Sequence, residues 1–562
     1  TNYNENSRNN VEKEEEFTTS DGYLSHYTSV RYPGAGMIRD VKIRLPHYLS
    51  DWTQAVSYRI LAATIRIYFL NAIPALAYTM DMYTRTHQNY GVNEALLSSA
   101  LGGIVFGLFA VQPISIVGFT GLINLFNYTT YDIMIERHVN YLPFMCWIAI
   151  WSAIFHWLIA IFNIVSYVRY VTNFTAEIFG FYVGIVYIQK GIEFIINEFN
   201  ETPRDGFMST VIACGFFFTY WTLTHVGQSS YFTRPIRDFL ADYAMIICVL
   251  FWSGFAYIPG NLRSTNIQKL PVTRAFFPTQ QQRSWFVNPS DLDISNVFIA
   301  LPFGLLVTAL FYFDHNISSL TAQAKHYPLK KPAGFHWDFF VLGWTTLIAG
   351  FLGLPYPNAL VPQCAMHTDA LGKWKKMTVD DEQHIPTAAP SIHSSRRSAE
   401  TLILVEIKEQ RLTNTLQGLL CIVTMAGPFL ICFAHISRAV LAGVFIGIGW
   451  GSVEGNTITT LVRHLVRDPN HMVPSDPLLQ LSRLKIFHYV CWMLAGFAVI
   501  FGISQTTTAV GFPVLVLLLI PFRVTVMTRL FTRQELNILD SPVASSLPLD
   551  SIGGLPDILA PY

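Results

Sequence analysis

The chain has 562 residues, with 37 Lys or Arg balanced by 37 Asp or Glu. Charged residues make up 13% and apolar residues 51%, against roughly 25% charged in a soluble domain, and the mean hydropathy is +0.36. So few charges cannot cover the surface of several soluble domains, and zero net charge removes the clustered basic excess that nucleic-acid binding requires; the composition is that of a polytopic membrane protein.

A helix needs about 20 apolar residues to cross roughly 30 Å of hydrocarbon. The opening block, Asn2 to Glu16, is rich in Asn and Glu and is expected to be a disordered tail. Thr1 to Arg44 as a whole is polar and shows no signal-peptide run. Apolar runs of spanning length follow near residues 56–82, 92–111, 143–168, 176–198, 208–226, 239–259, 296–323, 336–353, 412–434, 437–459, 486–503 and 506–522, twelve in all.

Two further segments are apolar but interrupted. One runs from Pro113 to about Tyr131 and opens I-S-I-V-G-F-T-G; the other runs from Pro355 to Leu371 and contains P-N-A-L-V-P-Q-C. A backbone group without a partner in hydrocarbon costs several kcal/mol, so these segments must face protein or a water-filled cavity. In chain order they are the third and tenth of fourteen segments, which are matching places if the chain is two repeats of seven. Broken helices paired in this way mark a transporter site between inverted repeats; the bland alternative is a pair of re-entrant kinks without a ligand.

With a cytoplasmic N-terminus, the predicted inner loops collect Lys325, Lys330, Lys331, Lys373, Lys375, Lys376, Arg396, Arg397, Lys408, Arg411 and the basic residues that follow, as the positive-inside rule asks. One loop runs against it: residues 260–291, outside on this reading, hold Arg263, Lys269, Arg274 and Arg283. The linker from Gly372 to Ala399, charged and rich in Ser, Thr and Pro, reads as a mobile cytoplasmic loop. The organisation expected is a largely disordered cytoplasmic tail at 1–44, a first repeat at 45–260, and an extracellular connection at 261–295. A second repeat at 296–525 follows, with a cytoplasmic loop at 372–408, and then a cytoplasmic C-terminal tail at 526–562.

Ionisable groups inside a membrane are costly and therefore informative. Asp314 lies in F-Y-F-D-H-N-I-S-S near the far end of an apolar run, where Asp314, Ile317 and Ser318 share a helix face. It reads either as a helix-end acid reaching the interface or as a carboxylate in a poorly hydrated cavity that trades a proton as solute passes. The interrupted segments complement it. Half-helix N-termini present free N–H groups and the positive end of a dipole, which favours an anion or a hydroxyl-rich ligand without any Lys or Arg. Gly118 and Gly121 let backbone approach closely, Thr120 adds a hydroxyl, and Asn358 and Gln363 add amides. Such a lining suits a small polyhydroxylated solute better than a strongly hydrated dianion.

Other polar residues have plainer readings. Asp81, Asn93 and Glu94 are expected at the interface, Lys190 and Glu193 as an intrahelical ion pair, and His156 and His225 as core histidines. The seven cysteines, mostly inside apolar runs, read as small hydrophobes. No Walker, G-x-S-x-G or H-E-x-x-H motif occurs, so no enzyme activity, cofactor or metal is expected.

The run E-Q-R-L-T-N-T-L-Q-G-L-L (Glu409 to Leu420), with G-V-N-E-A-L-L-S-S-A and V-Q-P-I-S-I-V-G-F-T-G, resembles the anion exchanger and bicarbonate transporter family. Phe311 to Gln323 and Gly353 to Leu371 are similar to the borate transporters of fungi and plants, and the match covers nearly all of residues 35 to 540. The resemblance implies an all-α fold of fourteen spans in a seven-plus-seven inverted repeat. Spans one to four and eight to eleven would form a core that carries solute in an elevator-like motion past a gate, usually in a homodimer. Solute would lie between the third and tenth half-helices, with Asp314 as the eighth-span acid and Asn358, Pro362 and Gln363 as the tenth-segment motif. Gln363 stands where chloride/bicarbonate exchangers place a basic residue, which argues against that exchange. Two departures are Leu122, where many relatives have Pro, and Ala359, where a Gly is common.

The function expected is boron export, as borate or boric acid, across the plasma membrane by secondary transport with proton coupling; the vacuolar membrane is the other location considered. A bicarbonate or other inorganic anion exchanger is the alternative on the same fold, and a membrane scaffold or sorting protein is the alternative from another class.

Overall fold

The computed structural model describes residues 32–53, 57–227, 229, 231–258, 265–280, 282–376, 402–468, 472, 476–506, 509–554 and 556. Two short helices, α1 (Ala35–Arg44) and α2 (Tyr48–Thr53), precede the long α3 (Tyr58–Arg85) and α4 (Val92–Phe109). The backbone then unwinds into β1 (Val117–Gly118) and restarts as α5 (Gly121–Glu136), followed by α6 (Tyr141–Ile161), α7 (Asn173–Glu201), α8 (Pro203–Val226), α9 (Arg234–Asp242) and α10 (Ala244–Phe255). The same order of helix, helix, strand with half-helix, and helix recurs in α11 (Ile294–Ala322), α12 (Phe335–Phe351), β2 (Asn358–Ala359) with α13 (Val361–Ala370), and α14 (Leu412–Val423). After a strand pair, β3 (Gly372–Lys376) and β4 (Leu402–Ile407), and the α14 helix come α15 (Gly427–Phe433), α16 (Arg438–Glu454), α17 (Thr457–Val466), α18 (Arg483–Ser504) and α19 (Phe512–Phe522), then a π-helical turn (Arg523–Met527) and three short helices, Thr528–Leu530, Arg533–Leu539 and Ser546–Asp550.

Among the described residues, eight helices are long and apolar enough to cross a membrane, or ten if each of two bent pairs counts as one span. Large apolar side chains such as Leu250, Phe298, Leu305 and Leu518 lie exposed on these helices, as expected where hydrocarbon is the solvent. Inside, α4 and α14 meet through small residues, Gly103 opposite Gln417 and Gly107 opposite Thr415, the close approach that membrane helices use in place of hydrophobic driving force.

Several expected elements differ in detail. The run 239–259 is a pair, α9 and α10, bent by 64°, and the run 412–434 breaks by 88° between α14 and α15, where Pro428 opens the second helix. The run 143–168 ends as an α-helix at Ile161; Asn163 turns left-handed and a 3-10 segment follows over Ile164–Tyr170. Within the expected N-terminal tail, residues 35–44 form α1, whose Asp40 accepts from His336 N at 2.9 Å. The expected mobile linker begins as a strand, since Gly372–Lys376 pairs antiparallel with Leu402–Ile407; the rest of it, 377–399, lies outside the described residues, as does the block from Asn2 to Glu16. Beyond residue 526, Asp540 accepts from Thr172 Oγ1 (3.0 Å) and Phe174 N (2.7 Å) and pairs with Arg523 at 2.5 Å. A carboxylate placed there caps the first turn of α7, so this part of the expected tail is bound to the helical body.

A buried ionic cluster fixes the ends of α4 and α14. Arg411 donates to Gly107 O (3.2 Å) and Ala110 O (2.7 Å), the carbonyls that α4 leaves open at its C-terminus. Asp51 lies 3.2 Å from Arg411, 3.0 Å from Arg44 and 2.6 Å from Lys331. Removing one member strands the others in a dry site. Arg411→Ala is therefore expected to cost about 3–5 kcal/mol, read as a lowered unfolding midpoint of the purified protein in detergent.

Candidate functional site

The two interrupted segments cross and pair. Val117 faces Ala359 and Gly118 faces Asn358 in antiparallel register, and Leu360 N donates to Ile116 O at 3.0 Å. The unwound backbone draws its remaining partners from side chains. Asn414 Nδ2 donates to Ser115 O (2.9 Å), His367 Nδ1 to Ile114 O (2.7 Å) and Ser98 Oγ to Pro355 O (2.6 Å), while Phe119 N donates to Ser99 Oγ (3.1 Å). Each strand leads straight into a half-helix. Thr120 caps α5, its hydroxyl accepting from Ile123 N at 3.4 Å, and Leu360 occupies the cap of α13 with Pro362 in its first turn. Pro fits there because first-turn N–H groups have no intrahelical acceptor; Leu122 holds the same place in α5, where the lack of a proline leaves one more N–H.

A cavity of about 380 Å³, counting its open mouth, lies at the two half-helix N-termini. Of the residues singled out from sequence, Thr120, Gly121, Asp314, Pro362 and Gln363 line it. Gly118 and Asn358 sit in the strand crossing behind it. Asn358 Nδ2 donates to Asp314 Oδ2 at 2.8 Å, and Asp314 is 2% exposed. The acid is thus turned inward, and the interface reading of Asp314 does not apply. A Cβ on Gly118 would lie 2.5 Å from Asn71 Oδ1, and one on Gly121 would lie 2.2 Å from the Tyr78 hydroxyl, so both positions require glycine for close approach.

Sequence reading missed the rest of the lining: Tyr78 from α3, Val183, Val186 and Tyr187 from α7, and Leu122, Ala359, Leu360 and Val361 beside the half-helices. Tyr78 and Tyr187 are aromatic residues in apolar runs, and only their convergence from separate helices, with ring centroids 5.5 Å apart, distinguishes them from packing. The wall is therefore mixed: one acid, one amide and hydroxyls on a largely apolar surface, with no Lys or Arg among the lining residues.

One helical turn farther along the same two helices, Lys190 lies 3.3 Å from Asp81 and 2.9 Å from Glu193. The intrahelical Lys190–Glu193 pair is present as expected, and Lys190 also bridges to α3. Asp81, also held by Asn124 Nδ2 at 3.2 Å, is nearly buried instead of interfacial. Glu94 departs further. It accepts from Gly91 N (2.9 Å) as an N-terminal cap of α4, from Thr279 N (2.7 Å), and from Arg283 at 3.0 Å, and is fully buried. Asn93 Nδ2 donates to Arg274 O and Phe277 O, each at 2.8 Å. These bonds account for part of the basic loop that defied the positive-inside rule: Arg283 is neutralised by a buried acid. His156 has its Nδ1 2.7 Å from Ser152 O, and His225 its Nδ1 2.8 Å from Trp221 O, though His225 is in a half-exposed setting and not in a core. No group of His, Cys, Asp and Glu able to hold a metal occurs among the described residues.

The family described as "HCO3- transporter integral membrane domain" matches residues 31–206 and 202–544, which is most of the chain. The protein belongs to this HCO3- transporter family. It is a multi-pass membrane transporter and not an enzyme. Within the curated proteins it is 43% identical to the "Putative transporter C543.05c" of Schizosaccharomyces pombe, over 91% of this chain and 96% of that one. It is 41% identical to "Boron transporter 1" of Saccharomyces cerevisiae, over 93% and 88%. Human "Anion exchange protein 2" is 27% identical over 91% of this chain and 43% of its own length. Among solved structures, the transmembrane domain of the cyanobacterial bicarbonate transporter BicA aligns with a TM-score of 0.50 at 12% identity, covering 79% of this chain and 98% of that one. The murine anion transporter Slc26a9, solved in the inward-facing state, aligns with a TM-score of 0.51, also at 12% identity, over 92% and 75%. The chain shares the seven-plus-seven inverted-repeat fold of these neighbours.

The Asp81–Lys190–Glu193 cluster makes a stability prediction. Lys190→Met leaves two carboxylates facing each other without their cation and is expected to destabilise by about 1–3 kcal/mol. Adding Asp81→Asn should recover most of that loss, because the cost lies in the stranded charge. Thermal unfolding of the purified single and double variants measures both.

Proposed function

We propose that the protein exports boron, as boric acid or the tetrahydroxyborate anion, by secondary transport through the cavity between α5 and α13. The observation that carries this reading is 41% identity, nearly end to end, to a protein named for boron transport. The wall of the cavity supports it. Boric acid is small and mostly neutral near pH 7, and its anion offers four hydroxyls. Two half-helix N-termini supply N–H donors for oxygen and a dipole for negative charge, and Asp314 and Gln363 supply acceptors for hydroxyl hydrogens. A Lys or Arg in the same place would favour a fully charged anion instead.

On this reading α3 to α6 and α11 to α14 act as a core that moves past a gate containing α7 and α16, and Asp314 exchanges a proton during the cycle. The plasma membrane and a homodimer belong to the same proposal. Inorganic anion exchange is the second reading, favoured by the likeness to "Anion exchange protein 2" and opposed by the neutral Gln363.

Proteoliposomes with an imposed pH gradient test the proposal: boron flux that follows the gradient supports proton-coupled export, and labelled bicarbonate flux without boron flux supports exchange. Asp314→Ala is expected to lower boron flux by at least about tenfold, the kinetic worth of a lost contact near 1.4 kcal/mol, while the protein still reaches the membrane. Gln363→Arg is expected to raise chloride or bicarbonate affinity at the expense of boron, measured as the flux ratio in the same vesicles.

A further inference from the structure

Residues 540–544 hold two helices at once. Asp540 caps the start of α7, where Asn173 also donates twice to Ser541, from N to O at 3.2 Å and from Nδ2 to Oγ at 3.1 Å. Thr172 and Pro542 form an antiparallel bridge. The next two residues pair elsewhere. Lys325 N, just past the end of α11, donates to Val543 O at 3.3 Å, and Ala324 bridges Ala544, again antiparallel. Farther on, Arg39 of α1 donates to Ser551 O, and α1 is itself bound to the start of α12 through Asp40. The segment is a short strand clasped between the start of α7 and the end of α11.

Consecutive Cα atoms stand about 3.8 Å apart and cannot be pulled farther. Pro542 belongs to the α7 side and Val543 to the α11 side, so no slack separates the two holds, and a shift of α11 past α7 must break one of them. The holds are unequal. On the α7 side, Asp540 pairs with Arg523 at 2.5 Å and accepts from Thr172 Oγ1 and Phe174 N, all of it buried. Charge-assisted bonds of this kind are roughly twice as strong as neutral ones, and parting them would strand a buried charge. On the α11 side, the bonds at residues 543 and 544 join neutral backbone groups.

We propose that this strap is a latch between core and gate: it stays on α7, holds the end of α11 in its present position, and lets go of Ala324 and Lys325 each time the core moves. The inference rests on the proposed motion of a core containing α11 past a gate containing α7. It gives the segment expected from sequence to be a C-terminal tail a part in the transport cycle.

Cysteine pairs test the latch in the whole chain, with the exposed Cys214, Cys432 and Cys491 changed to Ser. Because Lys325 N bonds to Val543 O, Ala324 and Ala544 face each other as a pair without mutual hydrogen bonds, where Cα atoms lie about 4.5 Å apart, within disulfide reach. A324C/A544C is closed by oxidation; N173C/S541C and D81C/K190C, at positions whose side chains already meet, are bridged by a short reducible bifunctional thiol reagent. Boric acid and labelled bicarbonate fluxes are measured in proteoliposomes, each cross-linked variant against its own reduced state. Closed A324C/A544C is expected to lose its flux and to regain it on reduction, which a misfolded protein would not do. N173C/S541C ties the strap to α7 alone and is expected to keep its flux when bridged. D81C/K190C joins α3 to α7 without the strap and is expected to lose it. Full flux through closed A324C/A544C while bridged D81C/K190C is blocked would overturn the latch, as would loss of flux in bridged N173C/S541C. Full flux through both A324C/A544C and D81C/K190C would overturn the core motion beneath it. Wild-type vesicles that carry bicarbonate and no boron would overturn the boron reading alone, and the same comparisons made on bicarbonate flux would then decide the latch.

Discussion

Two stretches of backbone inside the membrane domain abandon the helix, and their N–H and C=O groups must be satisfied without water. The rest of the structure depends on that constraint. The segments meet it partly by pairing with each other, Val117 with Ala359 and Gly118 with Asn358, and partly through a shell of amides, hydroxyls and one imidazole. Asn414, His367, Ser98 and Ser99 each hold a backbone group of one segment. Asn71, pressed against Gly118, is fixed in turn by Gln417 at 2.9 Å. This shell explains why α4 and α14 pack so closely: they carry the side chains that complete the unwound backbone. A polar core of this kind tolerates no missing member, since each orphaned buried group costs about 1–3 kcal/mol. The strand crossing behind the cavity is therefore rigid.

That rigidity bears on what could be read from sequence. The interruptions themselves were legible, because Gly, Pro and polar residues inside apolar runs have one physical meaning in a membrane, and their matching order pointed to two repeats. Gly118, Gly121, Asp314 and Gln363 followed from residue type and place, and the Asp314–Asn358 bond now gives the acid its direction. The partners contributed by distant helices were not legible. Lys190 showed its i+3 neighbour Glu193, while Asp81, more than a hundred residues away, could be found only once α3 and α7 were side by side. Glu94 was misread for a related reason: an acid near a helix start looks interfacial until Arg283 and Thr279 arrive from a loop whose sequence has no period. Arg283 and the buried acid are one feature split by chain order.

The contacts between α3 and α7 run along one side of the site. Tyr78 and Tyr187 meet beside the cavity, Tyr78 also packs on Phe445 of α16 at a centroid distance of 4.8 Å, and one turn along Asp81 meets Lys190 at 3.3 Å. Both rungs have the same three-residue spacing on both helices, so sliding α3 against α7 by one turn would break the two together. Neither rung is a bonded continuation of the backbone shell around β1 and β2; each is a contact between side chains of separate helices. Backbone pairing is thus concentrated where the two half-helices meet, and side-chain contacts alone lie along the boundary with α7 and α16. In the transport cycle proposed above, the first set would travel with the solute and the second would part as the half-helices move.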